Sequence, residues 1–239
     1  MKVKKDYYVG YRDVDPNQYL SNTSLLSFLE NTAGVHSTKA DNDINPKTTW
    51  FLRGWKVRLF ERPKYGDTVT IETWAREFRK IESYREFEIK NEDGVLLGVA
   101  LSKWVYINVE TGKFEKIEKE VYDKYEPENM TNFNDDEKYL PKLPEVGIES
   151  EGVKFTVTKS LIDVNRHLHN IYINDVAMEA LSNDIAFSGN LNEFDITFKK
   201  QVKAGEVLTS KAKEDLSKID VEITNEQNEI VALCEYKKG

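Results

Sequence analysis

The fold of this chain can be worked out from one stretch, Asp163-Val164-Asn165-Arg166-His167-Leu168-His169-Asn170. It places a carboxylate, an amide and an imidazole at alternate positions, and an apolar segment with helical spacing follows it. Three such side chains can hold a water molecule and polarise a carbonyl group. The same residue types also suit turn and helix-cap chemistry, so the spacing by itself leaves catalysis and local structure both open.

Composition limits the classes of protein to consider. The chain has 239 residues, enough for two domains of roughly 100 to 130 residues each. Its net charge of −8 argues against a general nucleic-acid role, which needs a clustered basic excess. Cys234 is the only cysteine, which excludes an internal disulfide and a cysteine-rich metal site.

The N-terminus and the hydropathy pattern predict a cytoplasmic protein. Residues 1–13 are basic but lack the apolar stretch of a signal peptide. No run of about 18 apolar residues occurs, so we expect no membrane-spanning helix.

The second half of the chain resembles the first. Three pairs of short stretches match in the same order, with an offset that falls from 148 to 139 to 134 residues. These are residues 13–22 and 163–170, then 64–69 and 203–208, then 89–92 and 223–226. The pairing sets Asp13 against Asp163 and Tyr19 against His167. A falling offset is expected if the second copy has shorter loops, so we predict an internal repeat.

Each half is predicted to hold a strand, then one helix, then several antiparallel strands. Apolar residues spaced for a helix follow Leu20 and again follow Asn170, which is a suitable N-cap. Runs rich in β-branched and aromatic residues then predict strands at 51–61, 68–75, 84–90, 96–108, 153–159, 193–202, 207–214, 219–224 and 230–236. The fold class is therefore α+β, with a helix wrapped by a sheet in each half.

The segment between the halves is rich in charge, Asn and Pro and has no apolar periodicity. Such composition is typical of a linker. We predict an N-terminal domain over residues 1–130 that shapes a substrate pocket, a linker over 131–150, and a catalytic domain over 151–239.

Two groups of motifs resemble the acyl-acyl carrier protein thioesterase family. The first comprises Ile71-Glu72-Thr73-Trp74, Ser102-Lys103-Trp104-Val105 and Gly112-Lys113-Phe114; the second is the stretch 163–170, with Glu179 in the helix after it. The resemblance implies a tandem hot-dog fold, two antiparallel sheets each wrapped around a long helix. It also implies hydrolysis of fatty acyl-acyl carrier protein to free fatty acid and carrier, without a metal or an organic cofactor.

The resemblance implies that Asp163, Asn165 and His167 belong to the active site. An imidazole titrates near neutral pH, so His167 is the natural proton carrier. Asp163 would orient or stabilise it, and Asn165 would donate to the thioester carbonyl or hold the water. Backbone amides opening the following helix are a second candidate for the oxyanion hole. His169 stands where the family has Asn, so we interpret it as a neighbour; a His167–His169 metal pair lacks a third ligand.

This chain departs from the family pattern at two positions. The family's Glu and Cys in the following strand are here Gln201 and Val202. A cysteine nucleophile at that site is therefore excluded, and Gln201 can position a water but cannot take a proton. We predict direct attack by water, with Glu179 a less favoured substitute carboxylate and Cys234 a buried structural thiol.

The first half has Tyr19 where the second has His167, so we predict one active site. The first half would then shape the acyl pocket. For each candidate pocket residue, ordinary core packing is the preferred interpretation, and for His36 a structural role is preferred. The candidates are Leu25, Phe28, Leu29, Trp55 and Val57.

An acidic acyl carrier protein would need a basic patch on this chain. Two groups of cations are candidates: Arg53, Lys56, Arg58 and Arg62, and separately Lys199, Lys200 and Lys203. A scatter of solvated surface charges is an equally acceptable interpretation of both groups. Two other functions stay open, a non-catalytic acyl-binding or regulatory protein and an acyl-coenzyme A thioesterase. The two repeats can close on each other, so both a monomer and a homodimer are compatible with the sequence.

Overall fold

A computed structural model describes residues 1–41, 47–145, 147, 149 and 151–238. The first half contains β1 (Lys2–Tyr8), α1 (Asn22–Asp41), β2 (Thr48–Leu59), β3 (Thr68–Arg79), β4 (Glu82–Asn91), β5 (Leu96–Asn108) and α2 (Lys119–Tyr125). The second half contains β6 (Val153–Thr156), a 3-10 turn (Lys159–Leu161), α3 (Tyr172–Met178), α4 (Asn183–Ala186), β7 (Glu193–Phe198), β8 (Val207–Glu214), β9 (Lys218–Thr224) and β10 (Ile230–Lys237). None of the described helices has the length and apolar character needed to cross a membrane.

Within the described residues, ten strands form one antiparallel sheet in the order β1-β3-β4-β5-β2-β7-β10-β9-β8-β6. The first five belong to the first half and the last five to the second. The expected two sheets are thus joined, because β2 pairs with β7 over residues 54–58 and 193–197. Both strands would otherwise be edges with unpaired backbone groups, and pairing them satisfies those groups.

One hydrophobic core runs through both halves. Leu25 and Leu29 of α1 pack in the same cluster as Trp55 of β2, and that cluster continues to Ile173 of α3 and Phe194 of β7. All five side chains are buried. The apolar residues of the predicted helices and strands therefore form the core, as the sequence predicts. The two helices lie against one shared sheet.

The second helix is shorter than its apolar spacing predicts. α3 ends at Met178. The Glu179 amide still bonds four residues back, to Asp175 O, but the amides of Ala180 and Leu181 bond to carbonyls only three residues back. Ser182 then takes an extended backbone and begins the separate turn α4. Asn170 is not the N-cap: Ile171 precedes α3 and its backbone is already helical. A break of this kind depends on backbone conformation at Ser182, which apolar periodicity does not report.

The segment after α2 packs against the outer face of the first-half sheet. The Trp74 indole N–H donates to Met130 O at 3.0 Å, and Lys56 Nζ donates to Glu137 O at 2.7 Å. Phe133 is buried against Tyr84 and Leu101. The stretch predicted as a linker therefore includes packed chain, and the domain boundaries at 130 and 150 stay a prediction.

Candidate active site

The loop from Asp163 to Asn170 is a hydrogen-bonded turn that leads into α3. Asp163 Oδ1 accepts the backbone N–H groups of Asn165 and His167, at 2.8 and 3.0 Å. The Asp163 N–H donates to His167 O at 2.8 Å, and Arg166 takes a positive φ of 65°. Carboxylates that accept nearby backbone N–H groups in this way stabilise tight turns. Asp163 therefore shapes the loop that presents Asn165 and His167.

The structure brings the four expected residues to one small pocket of about 120 Å³. Asp163, Asn165 and His167 reach it from the loop, and Gln201 reaches it from the segment after β7. A hydrogen bond of 2.7 Å from Leu168 N–H to Val202 O holds the loop against that segment. The pocket is thus built by two parts of the chain that a local motif does not connect.

His167 offers a ring nitrogen to this pocket region. Its side chain is half-buried, and its Nδ1 atom is buried without a hydrogen-bond partner among the described residues. Asp163 contacts the backbone N–H of His167 rather than Nδ1 of the ring. An imidazole nitrogen without a protein partner can bind a water or exchange a proton.

The amide of Asn165 is the better donor for a substrate carbonyl. The backbone N–H groups of Leu168, His169 and Tyr172 already donate to carbonyls at 2.7 to 3.0 Å, so these amides near the start of α3 are engaged. Asn165 Nδ2 makes only a 3.4 Å contact, to Asp163 Oδ2. The side-chain N–H groups of Asn165 are thus available to a ligand, whereas most of the backbone amides predicted at the start of the helix already donate to carbonyl oxygens.

Thiol chemistry is absent from the pocket as described. Val202 lies on its wall, and Cys234 is buried in β10, where burial raises the pKa of its thiol to about 12. A thiol with such a pKa is not a thiolate near neutral pH. Glu179, the alternative carboxylate, follows α3 and lines a different cavity. The described residues contain no cluster of three or more His, Cys, Asp or Glu side chains suited to a metal.

The first half contains a degenerate copy of the loop, but its register differs from the predicted one. Asp15, not Asp13, matches Asp163: its Oδ1 accepts the N–H groups of Asn17 and Tyr19, each at 2.9 Å. Gln18 has a φ of 66°, as Arg166 has 65°. The matching stretch is 15–22, at a constant offset from 163–170, and Tyr19 replaces His167. The sequence suggested Asp13 because an Asp-Val pair occurs there.

Arg62 occupies the first-half position that corresponds to Gln201. The two are matched because Leu20 N–H bonds to Pro63 O just as Leu168 N–H bonds to Val202 O. The Arg62 guanidinium donates to Leu20 O at 2.7 Å, Asn22 Oδ1 at 2.9 Å and Leu191 O at 2.8 Å. Burial lowers its pKa to about 10. A cavity of about 310 Å³ lies beside Arg62, but at the matching positions an engaged cation replaces Gln201 and Tyr19 replaces His167, which supports one site per chain.

Comparison with known proteins places this architecture in a family. A sequence model of the acyl-ACP thioesterase N-terminal domain matches residues 1–125, and one of the acyl-ACP thioesterase C-terminal domain matches residues 147–237. The chain belongs to the acyl-ACP thioesterase family. The predicted resemblance is thereby confirmed.

Similar curated proteins are chloroplastic thioesterases of plants. Oleoyl-acyl carrier protein thioesterase 1 of Arabidopsis thaliana is 23% identical over 88% of this chain and 63% of its own length. Palmitoyl-acyl carrier protein thioesterase of Cuphea hookeriana is 27% identical over 87% of this chain and 53% of its own length. The chain thus spans between about half and three fifths of these relatives.

Solved structures of the family share the fold. An acyl-ACP thioesterase from Bacteroides thetaiotaomicron superposes with a TM-score of 0.89 at 20% identity, covering 100% of this chain and 98% of that one. The 12:0-ACP thioesterase from Umbellularia californica gives 0.81 at 19% identity, covering 98% and 96%. The predicted α+β tandem hot-dog fold is confirmed, with the two sheets joined as described.

A larger cavity of about 880 Å³ adjoins the small pocket of this family member. Glu30, Trp50 and Trp104 line both spaces. The large cavity lies between α1 and strands β2, β4 and β5 and is also lined by Val35, Ser83, Arg85, Tyr106 and Tyr125. Its volume falls in the range of about 300 to 1,000 Å³ that is usual for ligand pockets.

The candidate acyl-pocket residues and His36 are core rather than cavity wall. Leu25, Leu29, Trp55 and Val57 have no exposed surface, and Phe28 is 7% exposed. His36 is fully buried, and its Nδ1 accepts a hydrogen bond from Arg85 at 3.0 Å. The core interpretation is confirmed for all six. The cavity instead uses positions that alternate with them in α1 and in the strands.

The first predicted basic patch is wrong, because two of its four cations are buried and a third is engaged by hydrogen bonds. Lys56 is 3% exposed, Arg58 forms a 2.9 Å ion pair with Asp195, and Arg62 is committed as described above. In the second patch, Lys200 pairs with Glu229 and only Lys203 is an exposed cation without a recorded ion pair.

A different set of cations surrounds the loop 163–170. Lys159, Arg166 and Lys203 line a shallow groove of about 570 Å³ together with Asn165 and His167. None of the three cations has an ion pair within the described part of the chain. This groove, which we call the basic groove, is the open face of the site. Neither predicted patch includes Lys159 or Arg166, because both residues lie far from those patches along the chain.

Glu30 lines the small pocket, although no predicted motif includes it. Its Oε1 lies 3.2 Å from Nε2 of His169, so a helix of the first half contacts the loop of the second. The Glu30 hydrogen bond raises the pKa of His169 above its ordinary value. One signal was present: Glu30 falls on the apolar stripe of α1, beside Leu26, Leu29 and Ala33, where a carboxylate is out of place.

Proposed function

We propose that this protein hydrolyses the thioester between a fatty acyl chain and the phosphopantetheine arm of acyl carrier protein. One observation carries the proposal: a small polar pocket with Asn165, His167 and Gln201 adjoins a large cavity of the size an acyl group requires. Family membership supports it, and the relatives named above are thioesterases of acyl-ACP.

In the proposed reaction, water attacks the thioester carbonyl carbon. The new C–O bond forms as His167 takes a proton from the water, and the carbonyl oxygen becomes an oxyanion that Asn165 stabilises with its side-chain N–H. The C–S bond then breaks with its electron pair going to sulfur, and His167 returns the proton to the thiolate. Gln201 positions the water through a hydrogen bond. The products are a carboxylic acid and a free thiol.

The basic groove supports the assignment of a carrier-bound substrate. Lys159, Arg166 and Lys203 lie beside His167 on the open face, where the phosphate of a phosphopantetheine arm and an acidic carrier would approach. In this proposal the acyl chain enters the large cavity and the carrier stays outside. The cytoplasmic location and the choice between monomer and homodimer stay predictions.

Thiol release from acyl-acyl carrier protein and acyl-coenzyme A of several chain lengths tests the function. We expect release from the carrier substrates, and a loss of about 100-fold or more in kcat for His167→Ala, the usual size of a general acid–base contribution. Glu179→Gln is the matched control, since Glu179 lines a different cavity, and it should keep the wild-type rate. A thiol reagent suits the assay because Cys234 is buried.

The outcomes separate the alternatives. No release from any acyl thioester would favour a non-catalytic acyl-binding protein. A clear preference for coenzyme A substrates would move the assignment to an acyl-coenzyme A thioesterase. Full activity in His167→Ala would contradict the proposed mechanism but not the substrate.

A further inference from the structure

The small pocket contains two carboxylates, and only one of them has a free oxygen. Asp163 Oδ1 accepts two backbone N–H groups, and its Oδ2 faces the Asn165 amide. Glu30 uses Oε1 for His169, while its Oε2 is buried and has no hydrogen-bond partner in the described part of the chain. A buried carboxylate oxygen without a partner costs free energy unless a bound group donates to it.

Glu30 also lies at the junction of the two spaces that a thioester substrate would occupy. It lines both the small pocket that holds Asn165, His167 and Gln201 and the large cavity proposed for the acyl chain. The thioester carbonyl of a bound substrate would fall at this junction, because the acyl chain lies on one side of it and the thiol on the other.

We propose that Glu30, from the helix of the first half, is a catalytic residue of the site in the second half and holds the attacking water through Oε2. The proposal rests on the hydrolytic function proposed above. The water donates one hydrogen to Glu30 Oε2 and the other to His167, which removes that proton as the C–O bond forms. Glu30 keeps no proton at the end of the cycle, so the balance of the reaction is unchanged.

His169 is the positioning residue for Glu30 in this arrangement. Its Nε2 holds Oε1, and the same contact raises the pKa of His169, which favours the charged imidazolium. A charge-assisted hydrogen bond of this kind fixes the position of the carboxylate. Other titratable groups that line the pocket are Asp163, His167 and Lys200.

The test removes the carboxylate at position 30 and, in a second variant, introduces one at position 201. Glu30→Gln should lower kcat at least tenfold, with a smaller change in KM, because the amide holds water more weakly and carries no charge. The double variant Glu30→Gln/Gln201→Glu restores a carboxylate to the same pocket and should regain at least part of the lost rate. Glu179→Gln is again the control and should match the wild type.

A second readout does not depend on turnover. Nuclear magnetic resonance titration of His169 should show a lower pKa in Glu30→Gln than in the wild type, while thermal melting shows that the variant is folded. An active wild type with an equally active Glu30→Gln overturns the role of Glu30 alone. A wild type that releases no thiol overturns the proposed function, even if the His169 titration shifts as expected.

Discussion

At the scale of single residues, the site depends on which polar atoms are already used. The Asp163 carboxylate accepts hydrogen bonds from backbone N–H groups of the turn, so its contribution is to the shape of the loop. Arg62 uses its guanidinium for hydrogen bonds to Leu20 O, Asn22 Oδ1 and Leu191 O in the first-half counterpart, so it is engaged there. The functional candidates are the groups left over: the His167 ring, the Asn165 and Gln201 amides, and one oxygen of Glu30.

His36 provides a pH prediction at this scale. Burial and the nearby Arg85 lower its pKa from 6.5 to about 3, so it is neutral in the folded protein and binds a proton more readily when unfolded. Stability therefore falls as the pH drops below 6.5, by about 3 kcal/mol on reaching about pH 4, at about 1.4 kcal/mol per pH unit. We expect His36→Gln to flatten this part of the pH profile of the free energy of unfolding, measured by urea denaturation.

His169 serves as the control because its pKa is shifted the other way. Its folded-state pKa is raised, so its contribution is present below the unfolded pKa and is lost as the pH rises through the folded one. His169→Asn should leave the acid-side slope unchanged. An equal acid-side slope in wild type and His36→Gln would contradict the prediction.

At the scale of elements, the junction between β2 and β7 decides how the halves meet. A β-bulge falls between Leu52 and Gly54, and Gly54 then pairs with Thr197 of β7. A Cβ atom at Gly54 would lie 2.3 Å from Ile196 O and 2.8 Å from Leu140 Cδ1. The backbones approach each other so closely there that no larger residue fits without a shift.

Gly54→Ala should therefore lower the free energy of unfolding by about 1 to 3 kcal/mol, the usual cost of overpacking. Gly34→Ala is the matched control, because a Cβ at that helical position meets nothing within 4 Å. It should stabilise the protein by about 0.5 to 1 kcal/mol through helix propensity. Chemical denaturation of both variants measures the difference, and equal stabilities would show that the junction is more tolerant than described.

At the scale of the whole molecule, the candidate site is built from both halves. Loop 163–170 and Gln201 come from the second half, whereas Glu30, Trp50 and Trp104 come from the first. The halves are held together by the continuous sheet, the shared core and the buried pair Arg58–Asp195. Neither half has the pocket by itself.

Long-range electrostatics belong to the same scale. The chain carries a net charge of −8, so an acidic carrier would be repelled overall and attracted only at the basic groove. We expect Lys159→Glu/Lys203→Glu to raise KM for acyl-acyl carrier protein several-fold at low salt and to reduce its salt dependence, since screening weakens such attraction. Lys113→Glu, an exposed site outside the cavities described, is the control.

Steady-state kinetics at two salt concentrations measure this effect. A KM that is independent of salt in the wild type, or equal changes in the groove variant and in Lys113→Glu, would argue against the basic groove as the carrier surface.

The sequence by itself determined the repeat, the fold class, most strands and the loop 163–170, because apolar periodicity and turn chemistry are local and leave a pattern in the chain. It also determined that Gln201 and Val202 replace groups that the family pattern would supply. It placed the first-half counterpart of Asp163 at Asp13 instead of Asp15. The Asp-Val pair at residue 13 matches by residue type, whereas the hydrogen bonds that identify Asp15 appear only in the folded structure.

The tertiary structure alone decided which charges are exposed and which groups meet across the halves. Lys56, Arg58 and Arg62 look like a surface patch in the sequence. Lys56 and Arg58 are buried in the part of β2 that pairs with β7, and Arg62 is half-buried and hydrogen-bonded. Glu30 and His169 are far apart in the chain, and only the packing of α1 against the second-half loop brings them within 3.2 Å. Burial and long-range contact arise from the closure of the whole sheet, and no local pattern encodes them.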